Sequence, residues 1–225
     1  MKTIKTLILR FDNILEKYEI SLFRGAVIAS LENKNIFFHN HDGNQFRYSY
    51  PLIQYKRLHK KATIVCIGEG TEAIGEFFLS GNFSFRIGDR EVEMIISDVQ
   101  AERTIVQCCD DSFEYRIRDW LPLNSQNYEA YYVADGIISK IRILEKVLNG
   151  NILSILKGLD IHIDTQMDTK IIKLSEPRIV SHKGVKLMCF DIEFKSNISL
   201  PDYIGVGKNA SVGYGMLTRK YNEKQ

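Results

Sequence analysis

YPLIQYKRLHKKATIVCIGEGTEAIGEFFLSGNFSFRI, residues 50–87, holds two runs rich in β-branched and aromatic residues, then one run with helical spacing. The first two predict strands over 50–58 and 62–67. Ala73, Ile74, Phe77 and Phe78 recur as one face of a helix over 71–80, and Gly81 ends it as a left-handed C-cap. Strands are predicted next at 83–87 and 91–96. Upstream, IKTLILRF (4–11) reads as a strand. Ser21 is placed to cap a helix from 22 to 33, where Leu22, Phe23, Ala26, Val27 and Leu31 share one side.

Strand, helix, two strands, helix, strand is the order of a ferredoxin-like α+β domain, whose open sheet face is a common RNA platform. FEYRIR (113–118) alternates apolar and polar residues, as a strand with one buried face does. A domain boundary is placed just before it, giving domains 1–110 and 111–225. Helices are predicted at 125–133, 137–148 and 152–158, with Asn149 and Gly150 separating the last two. Strands follow at 170–174 and 185–195, where Met188, Phe190, Ile192 and Phe194 alternate with charged residues, and YGMLTRK (214–220) reads as a last strand. The second half thus repeats the order of the first. The expected architecture is two tandem ferredoxin-like (RRM-like) domains.

The 225 residues are 44% hydrophobic, enough for buried cores, and contain no apolar run of the roughly 18 residues a membrane span needs. MKTIKTLILRFDN has too short an apolar core for a secretory signal, so a cytoplasmic address is expected. Cys66, Cys108, Cys109 and Cys189 form no CxxC pair and read as reduced, structural thiols. With a net charge of only +2, attraction to nucleic acid has to come from local clusters such as Lys56, Arg57, His59, Lys60 and Lys61.

GVGKNASVGYG (205–215) is the first candidate site. Gly205, Gly207, Gly213 and Gly215 bracket Lys208, Asn209 and Ser211, so backbone amides can approach an anion with no Cβ in the way, and Lys208 adds a mobile charge. A nucleotide-binding P-loop is excluded by Asp202 and Asn209, which stand where that motif needs Gly and Ser or Thr. The other reading is a long turn between strands.

IFFHNHDGNQFRYSY (36–50) is the second. On an extended backbone His39 and His41 point to the same side. Such a pair either binds a metal or serves as acid and base on one phosphodiester, and imidazole's reference pKa of about 6.5 suits the second task near neutrality. A metal normally needs a third ligand; Asp42 is adjacent but would face the opposite way on a strand, and no further histidine clusters close by, so acid/base chemistry is favoured and no metal or other cofactor is expected. Lys34, Arg47, Tyr48 and Lys56 are placed to hold or stabilise a phosphate. Phe37, Phe38, Phe46, Tyr50 and Tyr55 can stack on bases, though most of them are expected in the core. His162 and His182 are isolated and read as incidental.

Three stretches, 23–56, 184–197 and 200–217, together resemble the CRISPR-associated endoribonucleases of the RAMP superfamily that cut repeat RNA into guide units, specifically the subtype labelled b. The resemblance implies metal-independent cleavage of CRISPR repeat RNA leaving a 2′,3′-cyclic phosphate and a 5′-hydroxyl, with the glycine-rich loop contacting RNA. Carried over by position, His39 and His41 match the family's histidine pair and Tyr48 its tyrosine. The family's lysine has no direct counterpart, and Lys34 stands nearest. Two alternatives stay open: a non-catalytic RNA-binding subunit of the same fold, and a metal-dependent phosphoesterase. Other CRISPR-associated effector subunits are implied as partners, and the question of a homodimer stays open.

Overall fold

The computed structural model describes residues 1–31, 36–39, 41–42, 45–46, 50–79, 81 and 83–221. The chain divides into two units. One is Thr3–Thr104 with Ser211–Gly213, and the other is Ile105–Ala210 with Tyr214–Gln225 and Met1–Lys2.

In the N-terminal unit the order is β1 (Lys2–Ile14), α1 (Ile20–Ala29), α2 (Ile36–His39), β2 (His41–Asp42), β3 (Gln45–Phe46), β4 (Ile53–Leu58), β5 (Lys61–Ile67), α3 (Gly70–Leu79), β6 (Ser84–Ile87), β7 (Arg90–Glu93) and β8 (Ile96–Val106). The main sheet runs β4-β5-β1-β8, so counted along the chain its strands stand 2-3-1-4, as in a ferredoxin-like domain. β5 pairs antiparallel with both neighbours, Ile64 lying opposite Leu9 on one side and Tyr55 on the other. The helices cover one face because their apolar residues recur at helical spacing: Ile20, Phe23 and Val27 are buried on α1, and Ala73, Ile74 and Phe77 on α3. Phe11 meets Phe23 edge-on at 5.7 Å between centroids, and Phe23 meets Tyr55 at the same distance. Each large side chain fully buried in this way contributes roughly 1.5–3 kcal/mol.

Three local expectations change. Ser21 lies inside α1; its entry is a 3-10 turn, Lys17–Glu19, where the Glu16 amide donates to the Glu19 carboxylate at 2.7 Å. β8 was not expected as a strand of its own, because most of its side chains are exposed and leave no alternating apolar signal. Its neighbour in sequence, β7, pairs with β6 in a separate hairpin.

The C-terminal unit repeats the plan with β9 (Cys108–Trp120), α4 (Ser125–Val133), α5 (Gly136–Gly158), β10 (Thr169–Leu174), β11 (Arg178–His182), β12 (Val185–Ile198) and β13 (Met216–Lys220). Its sheet order, β10-β12-β9-β13, is again 2-3-1-4, with β11 paired to the first part of β12. Tyr115, Ile117 and Trp120 of β9 and Phe190, Ile192 and Phe194 of β12 are all buried, with Tyr115 stacked on Phe194. The two helices expected on either side of Asn149–Gly150 are one. Leu144, Leu148, Ile152 and Ile155 continue a single buried stripe across that point, and a Cβ at Gly150 would meet nothing within 4 Å. Core packing there outweighs the helix-breaking preference of two residues.

The units differ in how the third strand reaches the fourth. The N-terminal unit uses α3, whereas Ser199–Gly215 of the chain contains no helix. Among the described residues no helix is long and apolar enough to cross a membrane. All four cysteines are free, and Cys66 and Cys189 are buried.

Candidate functional site

The glycine-rich segment starts from a fixed point. The buried Tyr115 hydroxyl donates to the Ile198 carbonyl at 3.0 Å and accepts from the Leu200 amide at 2.9 Å, and burial lifts the phenol to about 12. Beyond it the backbone zips to its own return. The Tyr203 amide donates to the Leu217 carbonyl, Leu217 to Ile204, and Val206 to Gly215, each at 2.8 Å. The Lys208 amide donates to the Leu121 carbonyl at 3.2 Å and the Gly215 amide to Asp119 at 2.9 Å. The amides of Val206, Lys208 and Gly215 are therefore bound to protein carbonyls rather than presented to an anion.

This packing requires glycine, most plainly at two positions. Gly215 has φ +65, and a Cβ there would sit 1.9 Å from the Val206 carbonyl oxygen. At Gly207, with φ +87, a Cβ would lie 2.9 Å from Trp120 Nε1 and 3.0 Å from Asn151 Oδ1, the two atoms of a hydrogen bond that floors the loop. Gly205, Gly207, Lys208 and Asn209 belong to the C-terminal unit, with Lys208 exposed and its ammonium lowered by partial burial. Ser211 and Gly213 belong to the N-terminal unit. There the Ser211 carbonyl accepts from the Tyr55 amide at 2.8 Å, and Val212 makes a parallel bridge to Tyr55 on β4.

That contact brings the loop tip beside the strand of Lys56 and Arg57, but not in the expected role. Lys56 is 0% exposed, so it does not offer its ammonium to a phosphate. Burial lowers the group to about 7. Arg57 is turned to the protein: its Nε donates to the Leu15 carbonyl at 2.5 Å and its guanidinium pairs with Glu16 at 3.8 Å. Tyr55 and Phe38, at 0% and 2% exposure, and Tyr50 at 8% are core residues rather than base-stacking surfaces.

The histidine segment departs from one extended strand. His39 ends the helical turn α2, and His41 opens β2, where it stands opposite Phe46 of β3. The same-side argument for residues two apart on a strand thus does not apply to this pair. Phe38 anchors the turn in the core. Lys34, Arg47 and Tyr48, and the side chains of His39 and His41, lie outside the described residues. Sequence reasoning also passed over the loop's supports, Tyr115, Trp120 and Asn151. The available signal was the chain's only tryptophan standing two residues past an alternating strand.

Two 2-3-1-4 units in series, the second closing through a glycine-rich crossover, define a tandem ferredoxin-like protein. Residues 2–105 match the Cas6b N-terminal domain and residues 107–220 the Cas6b C-terminal domain, and the chain belongs to the Cas6b family. The resemblance read from the sequence is borne out. A solved structure described as the crystal structure of Cas6b has 26% identity and a TM-score of 0.89, covering 97% of this chain and 100% of that one. A second, described as CRISPR RNA processing endoribonuclease Cas6b, has 26% identity and a TM-score of 0.74 over the same shares. An uncharacterized protein of Methanocaldococcus jannaschii, MJ0978, is 37% identical over 103 residues, which is 46% of this chain and 69% of that protein.

Proposed function

We propose that the protein is an endoribonuclease that binds CRISPR repeat RNA and cuts it into guide units without a metal ion. The observation that carries this reading is the match of both Cas6b domains, in order, over residues 2–105 and 107–220. A solved Cas6b of similar fold is described as a CRISPR RNA processing endoribonuclease.

In the proposed division of labour, domain 1–110 holds the chemistry and domain 111–225 the RNA. One histidine of the His39/His41 pair takes the proton from the 2′-hydroxyl. The freed oxygen attacks the adjacent phosphorus, the bond from phosphorus to the 5′ oxygen breaks, and the other histidine gives that oxygen a proton. The products are a 2′,3′-cyclic phosphate and a 5′-hydroxyl, and no water is consumed. His41 is assigned the more critical role, with Tyr48 and Lys34 stabilising charge on the phosphate. The side chains of Lys208, Asn209 and Ser211, on a loop shaped by its glycines, orient the strand for in-line attack. The reaction is placed in the cytoplasm, with other CRISPR-associated subunits or a second copy as further partners.

The test is cleavage of a labelled repeat RNA from the same genome in excess EDTA. Cleavage is expected to persist in chelator, to stop with a 2′-deoxy nucleotide at the cut, and to fall about 10³-fold or more in a His39→Ala, His41→Ala double variant. Complete loss in EDTA removes the metal-free mechanism. Unchanged cleavage by the double variant removes the histidine site, and intact RNA with the wild type removes the nuclease.

A further inference from the structure

The helix-free face of the C-terminal sheet is built from charge. Strand pairing places its outward side chains in rows across the strands. Lys220, Glu114, Lys195 and Lys170 form one row, and Thr218, Arg116, Glu193 and Lys173 the next. Met216 and Arg118 start a third, with Asp191 on β12 beyond them. These rows carry six cations and three carboxylates, but at their far edge Lys170 also meets Glu145 of α5 at 3.8 Å, and Asp110 and Asp168 line a groove with Lys170 and Lys195, so the cationic excess lies toward Arg118, Arg116 and Lys173.

The carboxylates act as pins. Glu193 is 6% exposed and receives Arg116 at 2.5 Å, Lys220 at 2.8 Å and Lys173 at 3.2 Å. Those partners, Lys220 first and Arg116 next, hold its carboxyl down to about 2, so it stays charged at any ordinary pH. Glu114 likewise receives Lys195 at 3.1 Å. Held by their carboxylates, Lys173 and Lys195 still keep side-chain exposures of 71% and 48%. Arg118 is exposed and has no carboxylate partner among the described residues. It borders, with Arg116, Lys173 and Ser175, a groove of about 510 Å³.

The face also continues from the glycine-rich loop. Met216, opposite Arg118, follows Gly215 directly, and the Gly215 amide donates to Asp119, the residue after Arg118. Residues two apart on a strand stand about 7 Å apart, of the order of the step between successive phosphates on one nucleic-acid strand. We propose that this face, running from Arg118 beside the glycine-rich loop across Arg116 to Lys173, is a track for the phosphate backbone of single-stranded RNA. Among the described residues it carries no aromatic side chain in its outward positions, so it grips without stacking on bases and without reading sequence. The inference rests on the reading that the chain handles RNA and adds the path the strand takes beyond the loop.

The test uses the full chain and a labelled 2′-O-methyl oligouridylate, which has phosphates but no 2′-hydroxyl to attack. An Arg118→Gln, Lys173→Gln double variant leaves Glu193 two of its cations. It is expected to melt like the wild type, to bind about tenfold more weakly at low salt, and to lower the slope of log affinity against log salt by about 1.4. Lys146→Gln with Lys157→Gln removes the same charge from exposed positions on α5 and is expected to keep the wild-type slope. Equal losses in the two double variants overturn the track in favour of net charge alone, and so does an unchanged slope in the first. Binding of polyglutamate as tight as that of the RNA, with the same sensitivity to the first variant, overturns the RNA assignment. A wild type that cleaves repeat RNA while the first variant binds normally sinks only the track. A wild type that neither cleaves nor binds sinks both readings.

Discussion

The two units close the same 2-3-1-4 sheet with opposite materials. In the N-terminal unit the third and fourth strands are joined through α3, which satisfies its own backbone and needs the sheet only for its apolar stripe of Ala73, Ile74 and Phe77. In the C-terminal unit the join is a glycine-rich segment that borrows its hydrogen bonds from Asp119 and Leu121 at the end of β9 and from its own return strand. A helical crossover tolerates change on its outer side, whereas a borrowed backbone has to fit its neighbours atom by atom. The helix-free faces differ as well: Gln54, Lys56 and Thr63 of the first sheet are wholly buried, while the second bears exposed cations.

The same substitution in the two crossovers breaks or sharpens this contrast. Gly215→Ala drives a methyl against the Val206 carbonyl at a left-handed φ and is expected to cost about 3 kcal/mol or more in urea denaturation. A cost below about 1 kcal/mol would mean that the loop is free to shift and that the borrowed bonds are weak. A smaller effect separates the two sheet faces. Lys56 has a folded pKa near 7, against an ordinary value of 10.5. Between those values the unfolded chain holds a proton that the folded chain lacks, so stability rises with pH, by at most about 1.4 kcal/mol per pH unit. Lys56→Met is expected to flatten that rise when denaturation is followed from neutral pH upward. An identical pH profile would place the Lys56 ammonium in water. Smallest is Gly75→Ala on α3, where a Cβ meets nothing within 4 Å; it is expected to add about 0.5–1 kcal/mol. A loss at that position would erase the difference between the crossovers.

Where packing follows a regular period, the sequence announced it. The alternation of FEYRIR marked the strand from which the whole C-terminal sheet is built, whereas the helix at 125–133, which buries only Tyr131, owes its predicted start to Asn124, whose side chain accepts from the Asn127 amide at 2.7 Å. The duplication was legible from element order alone. What escaped was decided by neighbours distant in sequence. α5 runs through Asn149–Gly150 because its buried stripe does, and β8 keeps a strand's backbone by pairing with β1 while its side chains face water. Lys56 looked like a phosphate contact because it lies in a run of basic residues, yet it belongs to a strand whose residues 53–56 are all buried. The glycines of 205–215 suggested an anion nest. Positive φ values and close backbone approach account for Gly207 and Gly215 on packing grounds, leaving Lys208, Asn209 and Ser211 to carry the case for RNA.

Ser211–Gly213 form part of the N-terminal unit although residues 105–210 separate them from its other residues. β4 is an edge strand, and this short segment bonds to its outer side through Tyr55. During translation the first 104 residues leave the ribosome without Ser211–Gly213, and at the usual pace of synthesis roughly 5–20 s pass before that segment is made. For that interval the nascent chain exposes a strand open to foreign pairing. A nonsense codon after β4 and before position 211 leaves it so for good.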